Sequence, residues 1–373
     1  MGVKSFVFSL VLTTLLFSCS SNDDADNSNI EALRFIGEQV IAPSEIEGTA
    51  FGGLSSIDYA NGKWYAISDD SNTPIRFYTI DLEYDAEVFE EASVEGVTFI
   101  KNEDGTQFES GKVDPEALRL DPATGTFIWA SEGQINEGIS PSIREIDISG
   151  TQIRELPLPS LFSAISSSEN SGPRQNGTLE GLSLSKDNKG YWVAMELPLK
   201  QDGEAPALSD TNAPVRITLL DRFSGKVKKQ FVYQLENIVR DSNPPGGFSI
   251  NGLVEILALN DRSFLVLERS FATGYSDGGN NVKIYKIDAS EATDVKDSEQ
   301  LSQGSYTPVT KTLLFDFESI RSQLTDGIVD NIEGISFGPD LPNGNKSLVV
   351  VADNNFNAFG AQLNQFIVFE VIP

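Results

Sequence analysis

Short segments in which hydrophobic and polar residues alternate follow one another from about residue 33 to residue 373. They are bounded by Gly, Asn, Asp and Pro, which is typical of β-strands joined by turns. Amphipathic helical patterns are nearly absent, and no composition break is long enough to be a linker. The pattern predicts one all-β domain over residues 33–373.

Within this domain one hairpin pattern recurs. Each copy is an apolar strand, a polar turn and a returning apolar strand that ends on a carboxylate, as in Leu179-Glu-Gly-Leu-Ser-Leu followed by Trp192-Val-Ala-Met-Glu. The copies recur about every 60 to 80 residues, whereas compact propeller repeats take only ~40 to 50. Extra strands or loops must therefore lie between the hairpins. The copies begin at Gly53, Asp114, Leu179, Leu253 and Asn331.

Repeats of this kind favour a β-propeller, because each unit buries its face against its neighbours and the chain can exceed the usual size of one core. We expect six blades, with five or seven as alternatives. The sixth blade could come from residues 87–110, or from pairing Leu33-Arg-Phe-Ile with Gln365-Phe-Ile-Val-Phe-Glu-Val-Ile. Joining the two ends would close the ring without an exposed strand edge.

The first residues have the layout of a secretory signal, with Lys4 before a mostly apolar run from residue 6 to residue 17. That run is shorter than the roughly 18 to 20 residues of a membrane-spanning helix. Leu16-Phe-Ser-Cys resembles a lipobox, which implies a signal peptide over residues 1–18 and a lipid on Cys19. Residues 19–32 are polar and acidic and are expected to form a disordered tether. Because this acidity also resembles a surface-export signal, we expect an outer-membrane lipoprotein of the cell envelope, periplasmic or surface-exposed.

Composition narrows the possible chemistry. Cys19 is the only cysteine and the chain has no histidine, so the folded domain lacks disulfides, thiolate metal clusters and a histidine general base. The formal net charge of −28 repels phosphate backbones and anionic lipid surfaces. We therefore expect no nucleic-acid partner and membrane contact only through the lipid anchor. We also expect a monomer.

Two series of acidic residues recur at matching places in the hairpins, and the first copy has Ser55 where the others open with an acid. Since the innermost strands of a propeller lie beside its central channel, these acids are expected to converge on the axis. They either cap strand ends and accept hydrogen bonds, or form a charged site. The opening series is Glu116, Glu180, Glu255 and Glu333. The closing series is Asp69, Glu132, Glu196, Glu268 and Asp353.

Ionised carboxylates embedded in apolar strands are costly to bury unless something neutralises them. Bound Ca²⁺ is one solution, since it takes about six to eight oxygen ligands; arginine and raised carboxyl pKa values are the others. The candidate metal ligands are Asp69, Glu116, Glu132, Glu180, Glu333 and Asp353, with neutral oxygens from Asn176, Asn331, Asn354 and Asn355. The candidate catalytic residues are Glu180, Glu196, Glu268 and Arg269.

Two further features have simpler interpretations. Tyr275-Ser-Asp-Gly-Gly-Asn-Asn is Gly-rich but does not precede a helix, so it is expected to form a mobile rim loop and not a phosphate-binding loop. Trp64, Trp129 and Trp192 precede closing acids on returning strands, and we expect them to pack the blades.

Several ordered motifs resemble one known family. They are Gly53-Leu-Ser-Ser-Ile-Asp-Tyr with Ala66-Ile-Ser-Asp-Asp, Asp114-Pro-Glu-Ala-Leu with Ala130-Ser-Glu, Leu179-Glu-Gly-Leu-Ser-Leu with Met195-Glu-Leu-Pro-Leu, Leu265-Val-Leu-Glu-Arg, and Asn331-Ile-Glu-Gly-Ile with Asp353-Asn-Asn. From about residue 48 to residue 370 the chain resembles the phytase-like domain, the family described by the esterase-like activity of phytase. The resemblance implies a propeller fold, hydrolysis of phosphoesters or carboxyl esters, and a calcium cofactor.

Three functions are therefore open. The first is a calcium-dependent hydrolase that acts on a small anionic or ester substrate at the propeller axis. The second is a non-catalytic surface binding or scaffold propeller in which calcium is structural. The third is a lactonase-like propeller, in which one central calcium polarises a ring ester.

Overall fold

A computed structural model describes residues 1–2, 29–358, 360 and 362–373. Apart from residues 1–2, the expected signal peptide lies outside the described residues, as do the expected lipidation site Cys19 and most of the tether. These features stay predictions. In the part of the chain that the structure describes, no helix is long and apolar enough to cross a membrane.

The described residues fold into short β-strands connected by turns and a few single-turn 3₁₀ helices. The strands are β1 (Ala32–Ile41), β2 (Glu45–Ile46), β3 (Thr49–Ala50), β4 (Leu54–Ala60), β5 (Lys63–Ser68), β6 (Arg76–Tyr84), β7 (Phe89–Phe99), β8 (Pro115–Asp121), β9 (Thr126–Ser131), β10 (Ser142–Ile146), β11 (Gln152–Leu156), β12 (Leu179–Leu184), β13 (Gly190–Met195), β14 (Pro214–Asp221), β15 (Val227–Gln234), β16 (Ser249–Ala258), β17 (Ser263–Ala272), β18 (Asn280–Asp288), β19 (Thr310–Asp316), β20 (Asn331–Asp340), β21 (Lys346–Asp353) and β22 (Asn364–Ile372).

Five four-stranded antiparallel sheets form the blades of a propeller. The first blade is β4 to β7, the second β8 to β11, the third β12 to β15 and the fourth β16 to β19; the fifth consists of β20 to β22 and β1. Strands β2 and β3 form a separate small hairpin. The innermost strands β4, β8, β12, β16 and β20 contact one another in a ring around the axis. The prediction of a β-propeller is confirmed.

The expectation of six blades is wrong, and five, one of the alternatives, is the observed number. Residues 87–110 do not form a blade, because they supply β7, which pairs along β6 as the outermost strand of the first blade. The outer strands also account for the long spacing between hairpins. Each repeat contains two outer strands that lack the hairpin motif.

The ring is closed by the two ends of the domain. β1 pairs antiparallel with β22, so that Leu33 lies opposite Val371 and Arg34 opposite Glu370. The guanidinium of Arg34 and the carboxylate of Glu370 are 2.5 Å apart. The predicted pairing of the ends is therefore present, but it completes the fifth blade and does not make a sixth.

The hydrophobic core lies between neighbouring blades. Five clusters of buried apolar side chains fill the five interfaces. Trp129 packs between the first and second blades, Trp192 between the third and fourth, and Trp64 between the fifth and first. Their exposed fractions are 0%, 0% and 3%, which confirms that they pack the blades.

Candidate active site

A β-bulge occurs at the same place in all five innermost strands. In the second blade, for example, Pro115 pairs with Ser131 and Ala117 with Ala130, which leaves Glu116 unpaired. A bulge of this kind re-aims one side chain, and in the second, third and fifth blades that side chain lies in the wall of the axial cavity. The bulged residues of the five blades in order are Ser55, Glu116, Glu180, Val254 and Glu333.

A second set of side chains comes from the neighbouring strand of each blade. In each blade, the residue before the bulge pairs with a residue on the second strand. The residue that follows this partner on the second strand lies beside the axis. These residues are, in blade order, Asp69, Glu132, Glu196, Arg269 and Asp353.

All five residues of the second set and the three glutamates of the first meet in one cavity of about 210 Å³ at the end of the channel where the innermost strands begin. Asn176, Asn331 and Asn355 add neutral polar groups to its wall, and Phe248 and Phe271 lie among its other lining residues. The charged side chains in the wall, among the residues that the structure describes, are Asp69, Glu116, Glu132, Glu180, Glu196, Arg269, Glu333 and Asp353. The expected convergence on the axis is thus observed for these residues.

Glu268 does not line this cavity, because the fourth hairpin is in a different register from the one expected. Its side chain accepts hydrogen bonds from the Tyr233 hydroxyl and from Asn251 Nδ2, and it pairs with Lys311 at 2.7 Å. Glu268 therefore stabilises the packing around the fourth blade. Its neighbour Arg269 occupies the place that an acid has in the other four blades.

The same difference in register keeps Glu255 out of the cavity wall, because Val254, and not Glu255, is the bulged residue of β16. Glu255 lies deeper in the channel and is fully buried. Its carboxylate pairs with Arg119 at 2.5 Å and accepts hydrogen bonds from Ser56 Oγ and from the backbone N–H of Leu182. These contacts join four blades across the axis below the acidic cavity. The expected fourth neutral ligand, Asn354, is also turned away, because its side chain caps the backbone of Gly53.

Arg269 is the one cation in the wall among the described residues. Its guanidinium lies 3.1 Å from Glu333 and 3.7 Å from Glu196. Burial would lower its pKa, but Glu333, Glu196 and the other carboxylates raise the pKa above its ordinary value. The guanidinium therefore stays charged. Gly252 leaves the space that Glu196 needs, since a Cβ at this position would lie 2.5 Å from Glu196 Oε1.

One guanidinium does not neutralise seven carboxyl groups, and the pKa values of these groups are raised. Burial, the largest cause, raises the pKa of Glu196 and of Glu333 to about 7 despite Arg269. Burial and then the charge of Glu333 raise the pKa of Asp353 to about 8. Burial and then the charge of Glu196 raise the pKa of Glu180 well above its usual range. A group with a pKa near neutral pH can accept and release protons there.

A compact group of acids lies on the second blade. One carboxylate oxygen each from Asp114, Glu116 and Glu132 lie within 4.8 Å of one another. Burial raises the pKa of Asp114 to about 7, with a further contribution from Asp70, and that of Glu132 to about 8, with a contribution from Glu196. The backbone N–H of Gly177 donates to Glu132 at 3.0 Å, which orients this carboxylate. Three carboxylates at this spacing suit a hard cation such as Ca²⁺.

Asp114 was not among the expected ligands. It precedes Glu116 by two residues in Asp114-Pro-Glu, a motif that the sequence displays. Residues two apart in an extended chain lie on the same face, and the carboxylates of Asp114 and Glu116 lie close together. The alternation rule alone could therefore have found Asp114.

Fold and cavity together define a five-bladed propeller with a buried, acidic pocket at one end of its axis. The model of the phytase-like family, described as esterase-like activity of phytase, matches residues 49–356. The chain belongs to this family. No curated protein sequence matches the chain.

Solved structures with a similar arrangement share little sequence. An endo-arabinase from Bacteroides thetaiotaomicron is 14% identical, with a TM-score of 0.44 over 90% of this chain and 98% of that chain. The catalytic domain of an α-L-arabinofuranosidase from Coprinopsis cinerea is 12% identical, with a TM-score of 0.43 over 91% and 98%. A protein of unknown function from Dyadobacter fermentans is 12% identical, with a TM-score of 0.42 over 92% and 100%.

Proposed function

We propose that the chain is a calcium-dependent hydrolase of phosphoesters or carboxyl esters, with the axial cavity as its active site. One observation carries the proposal: seven carboxyl groups and a single guanidinium, among the described residues, line a cavity of about 210 Å³. Such a concentration of buried acids favours a multivalent cation. Membership of the phytase-like family supports hydrolysis as the chemistry.

The cation would be held by Asp114, Glu116 and Glu132, whose oxygens are already close together. Of the ligands expected from the sequence, Asp69, Glu180, Glu333 and Asp353 line the axial cavity beside this group. All except Glu180, which is assigned to proton transfer, could complete the oxygen shell or hold a second ion. When bound, Ca²⁺ supplies positive charge that stabilises negative charge developing on the ester oxygens.

The chain's own residues divide the remaining work. Arg269 is placed to hold an anionic oxygen of the substrate through its guanidinium N–H groups. Glu196, with a pKa of about 7, can remove a proton from the attacking water, and Glu180 can return a proton to the departing alcohol. In sum, water adds to the acid portion of the ester, the ester C–O or P–O bond breaks, and an acid and an alcohol are formed.

The test is a hydrolysis assay on phosphomonoesters, carboxyl esters and lactones, with calcium and with chelator. We expect turnover that calcium supports and chelation removes, and we expect Glu196→Gln to lower kcat by about 100-fold, the usual size of a general-base contribution. Glu169→Gln, which changes an exposed acid, is the matched control. Absence of calcium-dependent turnover across the panel would refute the proposal.

A scaffold or binding function with structural calcium is the second candidate, and the depth of the acids favours it. Glu132 and Asp353 are only 4% and 1% exposed, so an ion held there could serve mainly to brace the blades. This function predicts a calcium-dependent melting temperature without turnover. It also predicts that Glu180→Gln and Glu333→Gln lower the melting temperature measured with calcium.

We further propose that the protein is a monomeric lipoprotein of the outer membrane, anchored through Cys19 and without nucleic-acid partners. The supporting observations are the signal-like first residues, the lipobox-like Leu16-Phe-Ser-Cys and the net charge of −28. Cys19→Ala should release the protein from the membrane fraction. Unchanged membrane association of that variant would contradict the anchor.

A further inference from the structure

A groove of about 420 Å³ lies beside the axial cavity and differs from it in chemistry. Phe271 and Gln362 belong to the walls of both, so the two spaces adjoin. Among the described residues the wall of the groove contains no charged side chain. Its lining includes Phe271, Thr273, Tyr275, Ser276, Ile328 and Gln362.

The outer wall of the groove is held in place by a dense set of contacts. The guanidinium carbon of Arg240 lies 3.9 Å from the centre of the Tyr275 ring, and Arg240 also donates two hydrogen bonds, of 2.9 and 2.8 Å, to Asp277. The Tyr275 hydroxyl donates to the carbonyl of Asp241 at 2.8 Å. Gly274, at φ 88°, packs so closely that a Cβ would collide with the backbone of the opposing segment. The segment that begins at Tyr275 is thus held in place and is not the mobile loop expected from the sequence. A wall fixed in this way costs little entropy when a ligand binds.

An aromatic pair forms the boundary between the groove and the cavity. Phe248 is 58% exposed, and its ring centre lies 6.1 Å from that of Phe271. Phe248 lines the axial cavity, while Phe271 lines both spaces. An exposed aromatic ring beside a charged pocket offers an apolar surface to whatever extends out of that pocket.

The axial cavity is small for a whole substrate. Its volume of about 210 Å³ lies below the roughly 300 to 1,000 Å³ of pockets that enclose a complete small-molecule ligand. The alcohol portion of a bulky ester is therefore expected to extend out of the cavity.

We propose that the groove binds the alcohol portion of the substrate, and that this portion is uncharged and apolar or aromatic. The inference rests on the proposed hydrolase function and names its substrate class: monoesters with one anionic or polar reacting group and a bulky uncharged alcohol. A polyphosphorylated substrate fits poorly, because its further phosphates would lie in the groove, against a wall without a cation among the described residues.

The experiment compares esters that share the acid and differ in the alcohol. Hydrolysis of benzyl phosphate, methyl phosphate, benzyl acetate and methyl acetate is measured for the full chain and for Ile328→Ala, which changes a residue of the groove wall outside the axial cavity. Binding of benzylphosphonate and methylphosphonate, which have no ester bond to cleave, is measured by calorimetry. The matched control is Ile238→Ala, which removes another isoleucine with the same exposed fraction of 8% outside both spaces.

We expect benzylphosphonate to bind at least tenfold more tightly than methylphosphonate. We expect Ile328→Ala to lower kcat/KM about tenfold for whichever benzyl ester is hydrolysed better, to leave the methyl ester unaffected, and Ile238→Ala to change neither. Equal binding of the two phosphonates, or a benzyl preference that survives in Ile328→Ala, would overturn the groove assignment and leave the hydrolase proposal standing. If no ester is hydrolysed and no phosphonate binds, both proposals are wrong.

Discussion

The raised pKa values of the cavity acids predict an unusual dependence of stability on pH. For these groups the pKa is higher in the folded chain than in the unfolded chain, so the folded state binds protons more tightly. Without a bound cation, their contribution to the free energy of unfolding is therefore fully present below about pH 4.5. It is lost as the pH rises through the folded-state values, which are about 7 for Glu196 and about 8 for Asp353.

The size of the effect follows from one group. Moving the pKa of Glu196 from 4.5 to about 7 lowers the free energy of unfolding by roughly 3 kcal/mol once the group is ionised. A typical domain is stable by only about 5 to 15 kcal/mol, so ionisation of several such acids has a large effect. Exposed acids such as Asp104, whose pKa is lowered by hydrogen bonds from Thr106, titrate below this range of pH.

The assay is urea unfolding in chelator at several values between about pH 5 and about pH 8.5, repeated with calcium. We expect stability to fall with pH in chelator. If Ca²⁺ is the ligand, as proposed, it should restore stability most at the alkaline end, where the carboxylates of the folded state are ionised and free to bind it. Glu196→Gln should reduce the loss, whereas Glu169→Gln, at an exposed position, should not. Stability in chelator that stays constant or rises over this range would refute the assignment of raised pKa values.

Three further predictions concern single contacts. Trp192→Ala should lower the free energy of unfolding by about 3 to 5 kcal/mol, measured by urea unfolding, because Trp192 is fully buried between blades; a loss below about 1 kcal/mol would contradict that packing. Glu255→Ala should cost about 3 to 5 kcal/mol by leaving the buried charge of Arg119 unpaired, and adding Arg119→Met should recover part of this loss in a double-mutant cycle. Asp114→Asn should reduce the calcium-induced rise in melting temperature, while Glu137→Gln, an exposed change on the same blade, should leave it unaltered.

The places of three glutamates in the cavity wall follow from a shared local motif. Glu116, Glu180 and Glu333 follow an apolar residue in closely similar motifs, and each lies at a bulge. In the fourth copy, Leu253-Val-Glu-Ile places valine at the bulge. Matching glutamate to glutamate shifted this copy by one residue, and a shift of one residue sends side chains to the opposite face of a strand.

The number of blades could not be obtained from the motif. The outer strands, such as β7 and β11, pair with one neighbour only, and their exposed faces tolerate many residue types. They carry no repeated signal that separates them from loops. The assignment of residues 87–110 to a blade of their own failed for this reason.

The sequence by itself determined that the chain forms hairpins, that the hairpins repeat, and which acids recur in them, because strand alternation and turn residues are local properties. Only the tertiary structure decided that five blades close the ring, that Arg269 takes the place of an acid, and that Glu255 and Glu268 lie outside the acidic cavity. Those outcomes depend on bulges and on contacts between residues as far apart as Ser56 and Glu255. Packing around a shared axis selects them, and no local pattern encodes that packing.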